Sequence, residues 1–295
     1  MLVVIVGAVS LGPTILRDLL SGLTFVRPPA ASVSPPQTRT DPELQRRLDG
    51  VRAGLSRGSM SAAVVDLRSG ASATVDAERV YPAASLFKLP ILIEVLAQQE
   101  AGRLGAEQLL QIRQDDWTDG SGVLQARVGD RLTVRELTRL MIQESDNIAA
   151  LVLLNAVGAA NVNATIERLG LHATRVVDHR AGDDAEHATS AADMSRLLVM
   201  LAAGQAIDQQ VSENTLAVLE LKQHVGWLGE GLPFWVKVAH KWGDLPEARN
   251  DAGVIFSPRA SYAVAVLTEN ALPDEAASAI TGVSHAAYDY LGGGR

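Results

Sequence analysis

Three short segments of the chain carry side chains whose types and spacing suit acyl transfer. The first is Ser85-Leu86-Phe87-Lys88, which is followed by the apolar run Leu89–Leu96. In a helix that begins at Ser85, the lysine lies one turn later, so both side chains leave the same face. The helix N-terminus would favour a developing alkoxide, and desolvation would lower the pKa of Lys88 until a neutral amine could accept the Ser85 proton. A serine cap followed by a surface lysine is the alternative interpretation.

The second segment, Ser145-Asp146-Asn147, interrupts a stretch that is otherwise apolar, because Leu140–Ile142 precedes it and Ile148–Leu154 follows it. A helix that enters a hydrophobic core does not usually accept three polar residues in a row. The hydroxyl of Ser145 could relay a proton to a leaving nitrogen, and the amide of Asn147 could hold a substrate carbonyl. A polar patch on the protein surface is the alternative.

The third segment, Lys241-Trp242-Gly243, ends the predicted strand Phe234–Trp242. A glycine at this point would let a substrate backbone approach the strand edge. The positive charge of Lys241 would attract a carboxylate. A triplet this short indicates nothing by itself, so its meaning depends on the other two segments.

Taken together and in this order, the three segments resemble the S-x-x-K, S-D-N and K-T-G motifs of class A β-lactamases and penicillin-binding proteins. The resemblance continues through Val123–Leu154 and His240–Gly253, and it covers about Asp41–Leu291. It implies three catalytic residues, which are the nucleophile Ser85, its proton partner Lys88 and the proton relay Ser145. It also implies four substrate-binding residues, which are Asn147, Lys241, Gly243 and Asp244. The backbone N–H groups of Ser85 and Asp244 would line an oxyanion hole.

Two departures from the family pattern affect the expected activity. Trp242 stands where the family usually has a threonine or serine that helps to hold the substrate carboxylate. The loop Arg175–Ser190 lacks the glutamate, followed by an asparagine, with which class A enzymes activate the deacylating water. Asp178 and Glu186 are the nearest carboxylates, but their surroundings differ from those of the family glutamate. We therefore predict that acylation is faster than deacylation.

The same loop concentrates five groups that can ligate a metal ion: His179, Asp183, Asp184, Glu186 and His187. Their spacing matches neither a helix nor a strand, whereas divalent-ion sites need preorganised ligands. We interpret the loop as solvated and acidic, and we predict neither a metal ion nor another cofactor.

The elements around these segments predict an α+β fold. Strands are expected near both ends of the chain and helices in the middle, including one from Ser85 to Gly102 and one from the capping box of Thr133 and Glu136 to about Asn155. This order predicts an antiparallel sheet formed by both terminal parts, flanked by helices, with an inserted all-helical lobe. The β-lactamase and transpeptidase fold has this arrangement.

Composition narrows the classes of function. The 295 residues carry a net charge of −8 without a basic patch, which argues against nucleic acid as a partner. Cysteine is absent, so disulfides and thiolate chemistry are excluded. The chain uses four lysines among its 26 basic residues, and two of the four lie in the segments above.

The N-terminus predicts export. Residues 1–26 are largely apolar and are interpreted as a signal peptide or membrane anchor, although a buried helix or a wrongly assigned start codon would look similar. Residues 27–40 form a Pro-rich linker, and the domain is expected to span residues 41–295. The protein is thus expected in the periplasm or another extracytoplasmic space, as a monomer that attaches to the membrane if residues 1–26 are retained.

These observations predict a serine acyl-enzyme hydrolase whose substrate is a small β-lactam. A peptidoglycan D,D-peptidase would share the first half-reaction, with a peptide from the cell wall as its substrate. A non-catalytic envelope protein that only binds wall fragments is the third alternative, but a pure binder has no need of Ser85, Lys88 and Ser145 together.

Overall fold

The structure is a computed structural model that describes residues 37–178, 185–222 and 226–293. These ranges contain ten strands and eight α-helices. The predicted signal peptide or anchor, and the linker up to residue 36, lie outside the described residues. In chain order the elements are β1 (Arg39–Thr40), α1 (Pro42–Arg52), β2 (Ser59–Asp66), β3 (Ala71–Val75), β4 (Val80–Pro82), α2 (Lys88–Glu100), β5 (Leu109–Gln111), β6 (Arg131–Thr133), α3 (Val134–Gln143), α4 (Asn147–Val157), α5 (Ala159–Arg168), β7 (Ala188–Ser190), α6 (Ala191–Ala202), α7 (Gln209–Leu219), β8 (Lys237–Asp244), β9 (Ala248–Phe256), β10 (Ser261–Glu269) and α8 (Pro273–Ala287).

Six strands form the central sheet, in the spatial order β1-β3-β2-β10-β9-β8. Neighbouring strands are antiparallel except for β1 and β3. Strands from both terminal parts therefore share one sheet, which confirms the predicted α+β class. Strand β8 is an edge strand of this sheet.

The sheet is buried on both faces, which explains why β2 and β10 are almost continuously apolar. Alternate residues of β10 face different cores, since side chains point to opposite sides along a strand. Ala263 and Ala265 pack with the inserted helices, whereas Tyr262 and Val264 pack in a second core that includes Leu44 of α1 and residues of α8. One face of the sheet thus packs against the helical lobe.

Helix α1 begins as its sequence predicts. The Asp41 carboxylate accepts hydrogen bonds from the backbone N–H groups of Glu43 and Leu44, each at 3.0 Å, and Pro42 occupies the first turn. The two preceding residues, which the sequence analysis placed in the linker, instead form β1 and pair with Ala71 and Ser72. Composition does not reveal such a short strand, because its pairing depends on the exposed edge of β3.

The predicted capping box opens α3. Thr133 Oγ1 accepts a hydrogen bond from the Glu136 N–H at 3.1 Å, and Glu136 Oε2 accepts one from the Thr133 N–H at 3.0 Å. The prediction of one helix running to about Asn155 is wrong, since α3 ends at Gln143 and α4 begins at Asn147. Within the described ranges, no single helix has the length and hydropathy to span a bilayer, and the bent pair of α4 and α5 meets that criterion only jointly.

Candidate active site

Ser85 lies in a single 3-10 turn, Ala84–Phe87, that leads into α2. The predicted helix from Ser85 to Gly102 is therefore an α-helix only from Lys88 onward. Ala84 has a φ of +45°, a conformation that is unusual for a residue with a side chain. A β-carbon at Gly243 would lie 2.5 Å from the Ser85 backbone nitrogen, so only glycine fits there. Ser85 is thus held by its backbone between a strained turn and strand β8.

Ser145 lies in the break between α3 and α4, with a φ of +51°. Asp146 caps α4, because its Oδ1 accepts a hydrogen bond from the Ala149 N–H at 2.8 Å. Its Oδ2 accepts two more, from the N–H groups of Val123 at 2.6 Å and Leu124 at 3.1 Å. The buried carboxylate therefore fixes the turn that presents Ser145.

Lys88 is fully buried, and its Nζ contacts four oxygen atoms. The carbonyl oxygen of Ser145 at 2.6 Å and Oδ1 of Asn147 at 2.7 Å can only accept hydrogen bonds. The other two contacts are hydroxyls, Ser85 Oγ at 3.0 Å and Ser145 Oγ at 3.1 Å, each of which can also donate. A neutral amine that gives two N–H groups to the first pair keeps its lone pair directed towards these hydroxyls.

The environment of Lys88 favours this neutral amine. Burial of the ammonium lowers the pKa of Lys88 well below its usual value, and the nearby positive charge of Lys241 lowers it further. The carboxylate of Asp146 raises the pKa of Lys88, which offsets part of that effect. Lys88 is therefore suited to accept the proton of Ser85, as the sequence predicts.

Ser145 Oγ contacts both lysines and Ser85. It donates a hydrogen bond to Ser85 Oγ at 2.9 Å and accepts one from Lys241 Nζ at 3.1 Å. Lys241 is fully buried, and its Nζ also donates to the backbone carbonyl of Trp242 at 2.6 Å. The indole of Trp242 lies 4.7 Å from this Nζ. A bulky ring thus flanks the ammonium that the resemblance assigns to a substrate carboxylate.

Asn147 forms part of the rim of the site. While its Oδ1 accepts from Lys88, its Nδ2 donates to the carbonyl of Asp119 at 3.2 Å. A β-carbon at Gly120 would lie 2.7 Å from the same Nδ2. This loop was not among the predicted site residues. Its run Asp119-Gly120-Ser121-Gly122 could have indicated it, because glycines allow a backbone to pack closely against a neighbouring segment.

Asp244, the last of the predicted residues, is exposed at the end of β8, and its carboxylate accepts a hydrogen bond from Arg249 Nε at 3.0 Å. It follows Gly243, which touches the Ser85 backbone. The structure therefore brings Ser85, Lys88, Ser145, Asn147, Lys241 and Gly243 together, with Asp244 beside them.

The loop before β7 reaches the Ser85 turn through His187, a contact that the sequence analysis missed. The imidazole stacks on Phe87, with ring centroids 3.9 Å apart, and its Nδ1 accepts a hydrogen bond from the Val177 N–H at 2.9 Å. Asp178 is half-buried and Glu186 is exposed. His179, Asp183 and Asp184 lie outside the described residues. In the ranges that are described, no three histidine or carboxylate side chains are grouped as metal ligands.

Comparison with known proteins agrees with this geometry. A profile of the Beta-lactamase enzyme family matches residues 43–291. This chain belongs to that family. Its fold is similar to that of a point mutant of PBP-A in an acyl-enzyme complex with penicillin G, with a TM-score of 0.78 at 26% identity over 87% of this chain and 98% of that one.

Two β-lactamases are similar to a comparable extent. The enzyme from Sphaerobacter thermophilus DSM 20745 has a TM-score of 0.76 and 29% identity, over 84% of this chain and 96% of its own. An ancestral class A β-lactamase, GNCA, has a TM-score of 0.75 and 27% identity, over 84% of this chain and 100% of its own. The predicted superfamily and fold are confirmed, with sequences that have diverged widely.

Proposed function

We propose that the protein is a serine acyl-enzyme hydrolase that opens β-lactam amides through Ser85 and deacylates slowly. The observation that carries this proposal is the contact of Ser85 Oγ with two groups that can exchange its proton, Lys88 Nζ and Ser145 Oγ. The acyl-enzyme complex of PBP-A with penicillin G, a protein with the same fold, supports the same covalent species here.

In the proposed acylation, Ser85 Oγ attacks the lactam carbonyl while its proton passes to the neutral amine of Lys88. The new ester bond forms, the lactam C–N bond breaks, and the proton passes through Ser145 Oγ to the leaving nitrogen. Backbone N–H groups of Ser85 and Asp244 would stabilise the oxyanion. Every step uses a group that lies at or next to the hydrogen-bonded cluster.

Lys241 and Trp242 would set the preference for substrates. Attraction between Lys241 and a substrate carboxylate favours anionic β-lactams. The indole beside that ammonium leaves less room than a threonine or serine would, and it adds no hydroxyl. We therefore expect weaker recognition of ordinary penicillins than of smaller anionic substrates.

Slow deacylation follows from the loop that contains His187. Hydrolysis of the ester needs a base that takes a proton from water, and such help is typically worth about 10²–10⁴-fold in rate. With Nδ1 accepting the Val177 N–H, the neutral imidazole carries its proton on Nε2 and offers no lone pair there. Asp178 and Glu186 are the remaining carboxylates among the described loop residues, and Glu186 is exposed to solvent.

Intact-protein mass spectrometry after brief and prolonged exposure to penicillin and to a cephalosporin tests the proposal. We expect one acyl group per chain within the first time points, and an adduct that persists for many seconds to minutes. A chromogenic cephalosporin should show a burst of about one equivalent followed by slow turnover. Ser121→Ala, an exposed serine on the rim, is the matched control and should acylate normally.

Two results would contradict parts of this proposal. Burst-free rapid hydrolysis that is lost in Asp178→Ala or Glu186→Ala would identify a deacylating base and a conventional β-lactamase. No adduct with any β-lactam, but release of D-alanine from a cell-wall peptide, would favour the D,D-peptidase.

The site would operate outside the cytoplasm, where both candidate substrates are found. This part of the proposal depends on the apolar character of residues 1–26 and on the Pro-rich linker that follows. Fractionation of cells that express the full chain tests it, and recovery of the protein in the cytosol would contradict it.

A further inference from the structure

Two neighbouring aromatic side chains point into solvent just before β8. Phe234 is 86% exposed and Trp235 is 58% exposed, and their rings pack edge to face with centroids 5.0 Å apart. The flanking residues Leu232 and Val236 are buried in the core beside α8. The backbone is therefore anchored on both sides of an aromatic pair that is held outward. Exposed pairs of this kind mark surfaces that interact with something else.

The register of the sheet shows which end of the domain carries this turn. Lys237 pairs with Phe256, Phe256 with Ser261, and the next pairs along that end are Tyr262 with Asp66 and Arg39 with Ala71. The start of β8 and the start of β1 therefore lie at the same end of the sheet. The described part of the chain therefore begins at this end of the sheet.

Positive side chains are exposed around the same end. They come from the start of β1, the β2–β3 turn, the start of β8 and the β9–β10 turn: Arg39, Arg68, Lys237 and Arg259. Acidic residues lie towards this end as well. Asp66 is buried and accepts the backbone N–H groups of Arg68 and Ser69, and Asp41 caps α1. Glu43 forms ion pairs with Arg46 and Arg47 of its own helix, and Asp289 is exposed. Four cations at one end of a protein with a net charge of −8 make that end attractive to an anionic surface.

We propose that the Phe234–Trp235 turn and these four cations form a docking surface for the head-group region of an anionic lipid bilayer. Tryptophan and phenylalanine partition into the membrane interface, and each lysine or arginine near an anionic leaflet adds to the attraction. The turn lies at the end of the sheet where the described chain begins, and the residues that precede it in the sequence include the largely apolar residues 1–26, which favours a membrane over other partners. This inference does not depend on the proposed enzymatic activity.

Docking in this way would orient the catalytic cleft. Gly243 lies six residues beyond Lys237 along β8, which is about 20 Å at the rise of an extended strand. The Ser85 site would therefore be held above the bilayer, within reach of substrates in the surrounding space. A flexible linker alone would leave that orientation free.

Quenching of tryptophan fluorescence in the full chain tests the docking surface. The protein is mixed with vesicles of phosphatidylglycerol and phosphatidylcholine, with or without bromine on the acyl chains. Residues 1–36 contain no tryptophan, so insertion of that segment adds no signal. We expect bromine-dependent quenching in the wild type and in Trp117→Phe, an exposed control, and its loss in Trp235→Phe. Melting temperatures verify that the variants are folded.

Varying the lipid composition distinguishes the electrostatic contribution to membrane binding from that of the aromatic side chains. Quenching should weaken in pure phosphatidylcholine, and an Arg68→Ser and Arg259→Ser double variant should need more phosphatidylglycerol to reach the same level. Equal quenching in both lipids would overturn the electrostatic part of the proposal. Quenching that persists in Trp235→Phe, or that never occurs, would overturn the docking surface.

Two other occupants of the turn would give distinct results that also overturn the proposal. If residues 1–26 cover it, Trp235 should resist acrylamide in the absence of lipid and remain unquenched by brominated vesicles. If it binds glycan, soluble wall fragments should shift the emission of Trp235 while vesicles do not.

Discussion

The two faces of strand β8 bury polar side chains in different ways. His240 is paired with Asp251 through Nδ1 and Oδ1 at 2.8 Å, and the second oxygen of that carboxylate accepts the Leu228 N–H at 3.0 Å. On the other face, Lys241 and Ser145 belong to a cluster with Lys88. The first face pairs a histidine with a carboxylate, whereas the second places two lysine side chains close together.

This difference separates a structural pair from a reactive one. The buried His240 ring is matched with a carboxylate that also accepts the Leu228 N–H, which is the arrangement of a structural pair. The oxygens that contact Lys88 are all uncharged, and the neighbouring Lys241 disfavours its charge. Two positive charges within a buried cluster would repel each other and lower the stability of the protein. A cluster that keeps both lysines is therefore suited to a function in which Lys88 is a neutral amine.

Removing the nucleophile should have the largest effect on chemistry. Ser85→Ala should abolish covalent labelling by penicillins and by fluorophosphonates, because no other hydroxyl occupies the turn beside Gly243. The free energy of unfolding should change by only about 1 kcal/mol, which is the value of a neutral hydrogen bond. Mass spectrometry and thermal unfolding measure the two effects, and an adduct on the mutant protein would exclude Ser85 as the nucleophile.

Removal of the amine should slow acylation by about 10²–10⁴-fold, the usual contribution of a general base. Lys88→Met is the test, with Lys237→Met, an exposed lysine of the same strand as Lys241, as the control. In the wild type, acylation should fall as the pH drops through the depressed pKa of Lys88, because protonation removes the lone pair. Stopped-flow measurement of acylation against pH verifies this, and a pH-independent rate would assign the proton transfer elsewhere.

Lys241→Ala should weaken acylation by anionic substrates by about 1.5–3 kcal/mol, the range for hydrogen bonds to charged groups. A neutral ester reporter should lose much less. Loss of the neighbouring positive charge should also raise the pKa of Lys88, so the neutral reporter should recover at higher pH. Rates for both reporters across pH distinguish these contributions, and equal losses at every pH would mean that Lys241 acts structurally.

On the opposite face, Asp251→Ala should affect stability and leave the chemistry little changed. It leaves the buried His240 ring and the Leu228 N–H without their acceptor, at a cost of about 3 kcal/mol in the free energy of unfolding. Denaturant unfolding and the acylation rate of the folded protein provide the comparison. A variant that keeps its stability but loses acylation would show that the two faces are coupled.

The sequence predicted the sheet, the capping box of α3 and the residues that meet in the site. The predictions were wrong where the backbone adopts a conformation that the pattern of apolar and polar residues does not indicate. Apolar residues continue on both sides of Ser145, so their spacing does not indicate the break between α3 and α4. Asp146, which stands before an apolar run, is nevertheless a recognisable helix cap. The positive φ of Ala84 leaves no signal of its own.

The predicted start of β8 was wrong for a different reason. Phe234, Trp235 and Val236 have the composition of a strand, but the structure places the first two in a turn and begins the strand at Lys237. Aromatic residues have a high strand propensity whether they face a core or a partner outside the chain. The stacking of His187 on Phe87 likewise depends on a contact between distant segments.

The strained turn at Ala84 affects how many substitutions the surrounding sequence can tolerate. Ser85 is located by a backbone conformation and by its fit against Gly243, more than by the packing of particular large side chains. Substitutions in the surrounding core can therefore accumulate without moving the reactive oxygen. Identities of only 26–29% to structures that match over 84–87% of the chain show that the fold tolerates such substitutions.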